Sequence, residues 1–276
     1  MHSDIALAQI SMDKELFHQQ IIQKYNEIHN QTIGLDWFIF MNDGYMSLDN
    51  NGYPAILDSY PELNPLHHIW KHQSYLYIEL LKQSGVSLSS NLGSILDIGC
   101  GRGGGLSVFR DYYKTNTLVG LDLNPNQIEF CKNTHSGIEF VQGSAMDLPF
   151  TAEKFDIITN VESANYYFLY DDFLNGVSKT LKQDGVFLYA DTFDEIRMEE
   201  VTTAFEEHGL KIVSKRNITA NVRAACAIDK YRMLPHSRIL ADVMMWDEER
   251  YYAHRRPGNN HYVADYYIMV IKKISS

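Results

Sequence analysis

The residues with the clearest chemical potential form a glycine-rich turn and an acid that follows it. An apolar, strand-like run at residues 95–98 leads directly into glycines at positions 99, 101, 103, 104 and 105. Glycine has no Cβ, so such a turn lets the backbone approach a ligand closely. Asp122 ends the next predicted strand, 19 positions after Gly103, close to the offset at which an acid meets ribose hydroxyls. The spacing therefore predicts a site for a ribose-containing ligand.

Each of these features also has a plainer interpretation. A glycine turn can be tight and bind nothing, and Asp122 could act only as the N-cap of the following helix. Asn124 is the better candidate for that cap, because Pro125 follows it and proline suits the first helical position. Asp122 is therefore left available for a ligand.

Two further polar residues follow predicted strands, Asn165 after the fourth and Asp191 after the fifth. In an open parallel sheet, ligand sites lie beyond the carboxyl ends of the strands. Asn165 can orient a hydroxyl but cannot accept its proton at neutral pH, whereas Asp191 could act as a base if burial raised its pKa. We predict that both are catalytic, with helix capping as an equally weighted alternative for Asp191. The nearby tyrosines 166, 167 and 170 either line a pocket and stabilise a cation or belong to the core.

The elements that would position these residues alternate between strand-like and helical segments. This succession predicts a parallel sheet with helices on both faces, and therefore an α/β fold. The strand-like segments are residues 94–98, 117–122, 138–141, 155–159, 186–190, 210–218 and 262–271.

The sequence pattern changes near residues 91–93, and this change divides the chain into two predicted parts. Residues 1–90 have helical periodicity at 14–28 and 66–81, and we predict that they form a helical cap or lid. Residues 91–276 are predicted to form the α/β domain, with a helical insertion near 222–255 that caps the site. Within residues 20–50, Tyr25 or Tyr45 is expected to contribute to the ligand pocket. The alternative is that the aromatic side chains there only fasten the helices to the sheet.

The pattern Asp-x-Gly-x-Gly-x-Gly at positions 97–103 resembles the first motif of the class I S-adenosylmethionine-dependent methyltransferases. The feature that carries the resemblance is the acid two places before the first glycine. It implies a Rossmann-like seven-stranded sheet with one antiparallel C-terminal strand, and S-adenosylmethionine as the cofactor. The residues that it assigns to the methionine portion of the cofactor are Asp97, Gly99, Gly101 and Gly103, and it assigns Asp122 to the ribose. Leu123, next to Asp122, is also expected to bind the cofactor.

Two later segments extend the resemblance. Residues 143–150 resemble the family segment that flanks the adenine, which implies contacts from Ser144 and Ala145. Family members usually have Asp where this chain has Ser144, and a hydroxyl can still bond the adenine amino group. Residues 155–163, which include Asn160, resemble the fourth-strand motif, whose end lies beside the transferred methyl group.

A narrower likeness is to small-molecule methyltransferases of the phthiotriol and glycopeptidolipid type. It is carried by the glycines at 103–105 and by the segments 160–162, 189–191 and 218–222. It implies methyl transfer to a hydroxyl of an apolar small molecule, a lipid or a secondary metabolite. Two alternatives stay open, namely C-methylation of an electron-rich alkene or ring, and a protein of this fold that binds the cofactor without transferring its methyl group.

Composition limits the other partners. A formal net charge of -11 disfavours nucleic acid, and no apolar run is long enough to span a bilayer. The three cysteines have neither zinc nor disulfide spacing and no signal peptide is apparent, so we expect a cytoplasmic protein. His67, His68 and His72 have helical spacing, which we interpret as a surface helix, and we predict that no metal is bound. A homo-oligomer is left open, because the N-terminal helices could cover a neighbouring copy.

Overall fold

Seven strands form a single mixed sheet in the computed structural model, which describes residues 14–55, 60–88, 90–167, 170–233 and 265–274. The strand order is β3-β2-β1-β4-β5-β7-β6, and β7 runs antiparallel to both of its neighbours, β5 and β6. The seven-stranded sheet with one antiparallel C-terminal strand is therefore confirmed. The strands are β1 (Ser94–Ile98), β2 (Thr117–Asp122), β3 (Glu139–Gln142), β4 (Phe155–Val161), β5 (Leu181–Phe193), β6 (Leu210–Asn217) and β7 (Asp265–Lys273).

Helices precede the sheet and connect its strands. They are α1 (Lys14–Gln31), α2 (Pro65–Ile69), α3 (Lys71–Gln83), α4 (Gly104–Tyr112), α5 (Pro125–Thr134), α6 (Tyr170–Thr180), α7 (Glu195–Glu207) and α8 (Thr219–Met233). A short 3₁₀ helix, Ala164–Tyr166, follows β4. None of the helices in the described ranges has the length and apolar character needed to cross a bilayer.

The ends of the connecting helices follow from local side-chain chemistry. The Asn124 side chain accepts hydrogen bonds from the backbone N–H groups of Asn126 and Gln127, and Pro125 occupies the first helical position of α5. The cap predicted at Asn124 is thus confirmed. Helix α7 is capped by Asp194, whose side chain accepts from the backbone N–H of Arg197. The alternative role of Asp191 as that cap is wrong, since Asp191 lies within β5.

The helix predicted over residues 66–81 is interrupted. It forms two helices, α2 and α3, that meet at Trp70, which is fully buried. The Trp70 indole N–H donates to the Trp37 carbonyl oxygen at 2.6 Å, and its ring lies 5.2 Å from that of Phe38. Burying this large ring against the preceding segment fixes where the break occurs, which helical periodicity alone does not reveal.

The region before β1 shares the core of the sheet. Phe38, Trp70 and Leu80 belong to the same buried apolar cluster as Phe109 of α4 and Ile268 of β7. The division at residues 91–93 falls between α3 and β1 and stays a prediction. The predicted insertion at 222–255 overlaps α8, which begins at Thr219, and residues 234–255 of it lie outside the described residues.

Candidate functional site

An open cleft lies at the carboxyl ends of the first four strands. Its empty volume is about 970 Å³, counted out to its open mouth. The sheet side of its wall comes from the turns after β1, β2, β3 and β4, and the opposite side comes from α1, residues 39–42 and Tyr77 of α3. A cleft with convergent polar groups at this edge of an α/β sheet is the expected place for a binding site. The predicted site residues that line it are Gly99, Gly101, Asp122, Leu123, Ser144 and Ala145.

The turn after β1 owes its shape to glycine. Gly99, Gly101 and Gly103 have φ angles of 72°, 53° and 79°, in the region that residues with a Cβ rarely adopt. The N–H groups of Gly99 and Cys100 both donate to the Leu121 carbonyl oxygen, at 2.8 and 3.0 Å. The turn is therefore tied to the end of β2. Gly103 lies outside the described cleft wall and is the left-handed N-cap residue of α4.

Positions 104 and 105 require glycine for a different physical reason, namely close packing against another segment. A Cβ on Gly104 would overlap the Ile39 carbonyl oxygen and the Phe40 ring, and one on Gly105 would overlap the Tyr77 ring. The Gly104 N–H donates to the same Ile39 oxygen at 3.0 Å. These two glycines thus let the segment before β1 pack directly on the first turn of α4, where it closes the far side of the cleft.

Asp122 presents its carboxylate to the cleft. Its Oδ2 accepts from the Gly101 N–H and its Oδ1 from the Asn124 N–H, both at 2.9 Å. Burial raises the pKa of Asp122 to about 6, against the opposing effect of these backbone amides. At neutral pH the ionised form prevails, so the side chain can still accept hydrogen bonds from ligand hydroxyls.

Two other predicted site residues lie behind the wall. The Asp97 carboxyl is buried and accepts from the Thr159 hydroxyl at 2.7 Å, and burial raises its pKa to about 7. The Asn160 amide donates to the Ile98 carbonyl oxygen and to the Tyr167 hydroxyl, each at 2.8 Å. Tyr167 lines the cleft, so Asn160 holds the hydroxyl of a residue in the cleft wall.

The segment predicted to cover the ligand meets the cleft through Tyr25. Ile22 and Tyr25 of α1 and residues 39–42 all line the cleft. Tyr45 lies outside the described wall, where its N–H donates to the His72 carbonyl oxygen at 2.8 Å and its ring faces Arg216 at 5.8 Å. Motion of this segment as a lid stays a prediction.

The structure brings Asn165 and Asp191 together. The Asn165 amide donates to Asp191 Oδ1, and the Thr192 N–H donates to the same oxygen at 2.8 Å. Asp191 is completely buried, and neither residue belongs to the described cleft wall. The predicted catalytic pair is thus a hydrogen-bonded pair next to the cleft, and its catalytic role stays a prediction.

Glu162 is the functional candidate to which the sequence analysis assigned no role. It follows β4 directly, lines the cleft, and has a φ of 52°, which is uncommon for a residue with a Cβ. Its Oε1 accepts from the Asp43 N–H at 2.9 Å and from the Tyr266 hydroxyl at 2.8 Å. Burial, and next the nearby Asp43 carboxyl, raise its pKa well above the usual range. Its position at a strand end was the only signal in the sequence.

The surface-helix interpretation is wrong for two of the three histidines. His67 is buried, with its ring nitrogens 2.9 Å from the Tyr112 hydroxyl and 2.8 Å from the Ser107 hydroxyl. His72 is also buried, and its Nδ1 lies 2.8 Å from Asp229 Oδ1. These partners come from distant parts of the sequence, so periodicity could not indicate them. Within the described ranges, no three His, Cys, Asp or Glu side chains are grouped as metal ligands would be.

The polar groups of the wall define the ligand that would fit. Asp122 suits a hydroxyl-bearing group, and Glu162 on the same cleft suits a positive charge or a hydroxyl. Between them lies the turn with Gly99 and Gly101, where no Cβ stands between the backbone of these two residues and a ligand. A nucleoside that carries a positively charged extension satisfies both ends, and S-adenosylmethionine is such a molecule.

Comparison with known proteins agrees with this geometry. The model of the methyltransferase domain family matches residues 89–253. The chain is 36% identical over 189 residues to a fatty-acid O-methyltransferase of Mycolicibacterium smegmatis, covering 68% of this chain and 65% of that protein. The chain thus aligns with slightly less than two thirds of that relative. It is 31% identical over 227 residues to a phthiotriol/phenolphthiotriol dimycocerosates methyltransferase of Mycobacterium leprae, covering 82% and 78% of the two chains.

Solved structures show the same fold at low sequence identity. The [4+2]-cyclase SpnF superimposes with a TM-score of 0.66 at 17% identity, covering 94% of this chain and 97% of that one. The geranyl diphosphate C-methyltransferase of Streptomyces coelicolor, in a complex that contains S-adenosyl-L-homocysteine, gives 0.63 at 14% identity and covers 94% and 98%. With the family match over more than half of its length, the chain belongs to the S-adenosylmethionine-dependent class I methyltransferases.

Proposed function

We propose that the protein transfers a methyl group from S-adenosylmethionine to a hydroxyl of an apolar small molecule, a lipid or a secondary metabolite. The observation that carries the hydroxyl assignment is Glu162, a carboxyl group in the cleft wall at the end of β4. A hydroxyl must lose its proton as it is methylated, and a carboxylate within reach can accept that proton.

The apolar acceptor is supported by the side chains of the cleft and by the relatives. Ile39, Phe40, Met41 and Val161 line the cleft. The similar proteins are named for fatty acids and for phthiotriol dimycocerosates, which are lipids. The family resemblance and these side chains favour an acceptor with a hydrocarbon portion.

The residues present fit the cofactor in two places. We assign Asp122 and Leu123 to the ribose and Ser144 and Ala145 to the adenine, because all four line the cleft at the ends of the paired strands β2 and β3. The methyl-bearing end then lies toward Glu162. When bound there, S-adenosylmethionine supplies an electrophilic methyl group, and the protein has to align the acceptor and exclude water.

A carboxylate acceptor is the main rival, since one relative is a fatty-acid O-methyltransferase. An ionised acceptor of this kind needs no base. It would have to approach Glu162, with Asp43 and Asp191 close enough to raise the pKa of Glu162 by their charge. This concentration of acids disfavours a further negative charge and supports an uncharged hydroxyl.

We also place the reaction in the cytoplasm, in keeping with three free cysteines.

The proposed function is tested with isotope-labelled S-adenosylmethionine and a matched acceptor panel. A long-chain alcohol, the fatty acid of the same length and a polyprenyl alkene are each incubated with the protein, and mass spectrometry locates the labelled methyl group. We expect an ether on the alcohol. Ester formation alone, or methylation at carbon alone, would contradict the hydroxyl assignment, and bound but untransferred methyl donor across all acceptors would indicate a cofactor-binding protein.

A further inference from the structure

The geometry of Glu162 separates the tasks of its two carboxyl oxygens. Both hydrogen bonds that its carboxyl group accepts, from the Asp43 N–H and the Tyr266 hydroxyl, end on Oε1. The residue also lines the cleft, so Oε2 is the oxygen left for the cleft side. A carboxyl group whose Oε1 accepts two donors carries its own proton on Oε2 when it is neutral.

The groups around Glu162 make its ionisation depend on what else enters the cleft. Acidic or weakly acidic side chains face it from the neighbouring elements, namely Asp43 of the segment between α1 and α2, Tyr77 of α3, Asp191 of β5, Cys226 of α8 and Tyr266 of β7. Among the described residues that line the cleft, Arg102 is the one cation. Its guanidinium lies 3.6 Å over the Phe130 ring and donates to the Thr32 hydroxyl, away from Glu162. No cation of the described wall therefore balances a negative charge on Glu162.

We propose that Glu162 is a proton switch governed by the charge of the cofactor. It holds a proton on Oε2 in the free protein, releases that proton when the positively charged methyl donor binds, and then takes the proton of the acceptor hydroxyl. This inference rests on the proposed function, which it deepens by naming the base and the event that activates it.

Electrostatics determines the direction in which the bound cofactor shifts the pKa of Glu162. Without a nearby cation, burial and the neighbouring acids favour the neutral form of Glu162. A positive charge within a few ångströms favours the ionised form and lowers the pKa of the carboxyl. The demethylated cofactor is an uncharged thioether at this position, so it leaves Glu162 protonated. The carboxylate is thus formed only when a methyl group is available for transfer.

The proton and the electrons balance over one turnover. Glu162 Oε2 accepts the hydroxyl proton as the acceptor oxygen forms its bond to the methyl carbon, and the electron pair of the broken carbon–sulfur bond stays on sulfur. Before transfer the cleft holds a carboxylate and a sulfonium, and afterwards a neutral carboxyl and a thioether. The summed charge of the two groups is zero in both states. Neither of these two groups therefore carries an unbalanced charge at either stage.

Titration calorimetry can count the released proton without any acceptor. S-adenosylmethionine and S-adenosylhomocysteine are each titrated at neutral pH in buffers of different ionisation enthalpy, which gives the protons released on binding. We expect the methyl donor to release close to one proton more from the natural protein than from Glu162→Gln. For S-adenosylhomocysteine the two proteins should release equal numbers. Comparing each ligand on both proteins cancels protons that come from the ligand itself.

The glutamine variant is a close structural match, because its side-chain oxygen can still accept from the Asp43 N–H and the Tyr266 hydroxyl. Two further variants shift the switch in opposite directions. Tyr266→Phe removes a donor to the ionised form, so proton release should extend to higher pH. Asp43→Asn removes a neighbouring acid but keeps the backbone N–H, so proton release should end at lower pH.

The outcomes separate this inference from the proposed function. If both ligands bind the natural protein and Glu162→Gln with the same proton counts, the switch is overturned and the methyltransferase assignment stands. If neither ligand binds the folded natural protein, the proposed function fails and the switch fails with it. Shifts of the same sign in Tyr266→Phe and Asp43→Asn would overturn the assignment of the released proton to Glu162.

Discussion

The two walls of the cleft are held in place by different means. The sheet wall uses strand ends, with the Asp122 carboxylate and the glycine turn held by backbone hydrogen bonds to one another. The opposite wall uses side chains of α1, residues 39–42 and Tyr77, held by packing on Gly104 and Gly105. The sheet wall is fixed by strand pairing, whereas the opposite wall depends on how well two apolar surfaces fit. A substitution in one wall should therefore change polar recognition, and one in the other should change closure.

The largest effect is expected where the two walls meet, at Glu162. Glu162→Gln should lower turnover by about a hundredfold to ten-thousandfold, the range for loss of a general base, with little change in S-adenosylhomocysteine affinity. Turnover is measured with the acceptor that the labelled-methyl panel identifies. Asp191→Asn is the matched comparison, because Asp191 is a buried carboxyl outside the described wall. An equal or greater loss in Asp191→Asn would make Asp191 the base, as its position after β5 first indicated.

The fit between the walls is tested at Gly105. Gly105→Ala places a methyl group against the Tyr77 ring, and overpacking of this kind costs about 1–3 kcal/mol of the free energy of unfolding. Chemical denaturation measures that cost, and calorimetry measures the accompanying loss of cofactor affinity. Tyr77→Ala should relieve the overlap, so the double variant should lose less stability than the sum of the two single variants. Strict additivity would show that the two residues do not press on each other.

The polar recognition of the sheet wall is tested at Asp122. Asp122→Ala removes a charge-assisted hydrogen bond of roughly 1.5 to 3 kcal/mol, so S-adenosylmethionine affinity should fall about tenfold or more. Asp184→Ala removes an exposed acid that lies outside the described cleft wall and should leave the affinity unchanged. Equal affinities for the Asp122 variant and the natural protein would remove Asp122 from the site.

The smallest effect concerns the motion of the wall opposite the sheet. Amide hydrogen exchange over residues 40–45 should slow when S-adenosylhomocysteine binds, if this segment closes over the ligand. The amides of β1 serve as the internal control, because they are paired with β2 in the sheet. Unchanged exchange in both segments would mean that the aromatic residues simply fasten the helices to the sheet.

The sheet wall could be predicted because its determinants are close together in sequence. Strand periodicity, the glycine turn and the acid after β2 all lie within residues 94–122, and each has a local physical meaning. In the structure Asp122, Gly99 and Gly101 line the cleft, and β7 takes the predicted antiparallel position. Local sequence was sufficient where backbone geometry shapes the cleft wall.

The opposite wall could not be predicted in the same detail, because its contacts join distant residues. Gly104 and Gly105 line the cleft as part of the glycine turn, but their packing against Ile39, Phe40 and Tyr77 has no sign in the local sequence. Helical periodicity places His72 on a surface helix, whereas Asp229 pairs with it from 157 positions away. The hydrogen bonds of the Glu162 carboxyl come from Asp43, far before it in the sequence, and from Tyr266, far after it. Such pairs have no periodicity or spacing by which a sequence could reveal them.

The hydrogen bonds on Glu162 Oε1 also bear on how the protein is made. They join residue 162 to residue 43, at a separation of 119 positions, and to residue 266, at a separation of 104. Contacts of such long range form late, since the intervening chain must first be ordered. During synthesis on the ribosome, residues 43 and 162 are made well before Tyr266. The environment of the Glu162 carboxyl is therefore complete only after β7, which contains Tyr266, has joined the sheet.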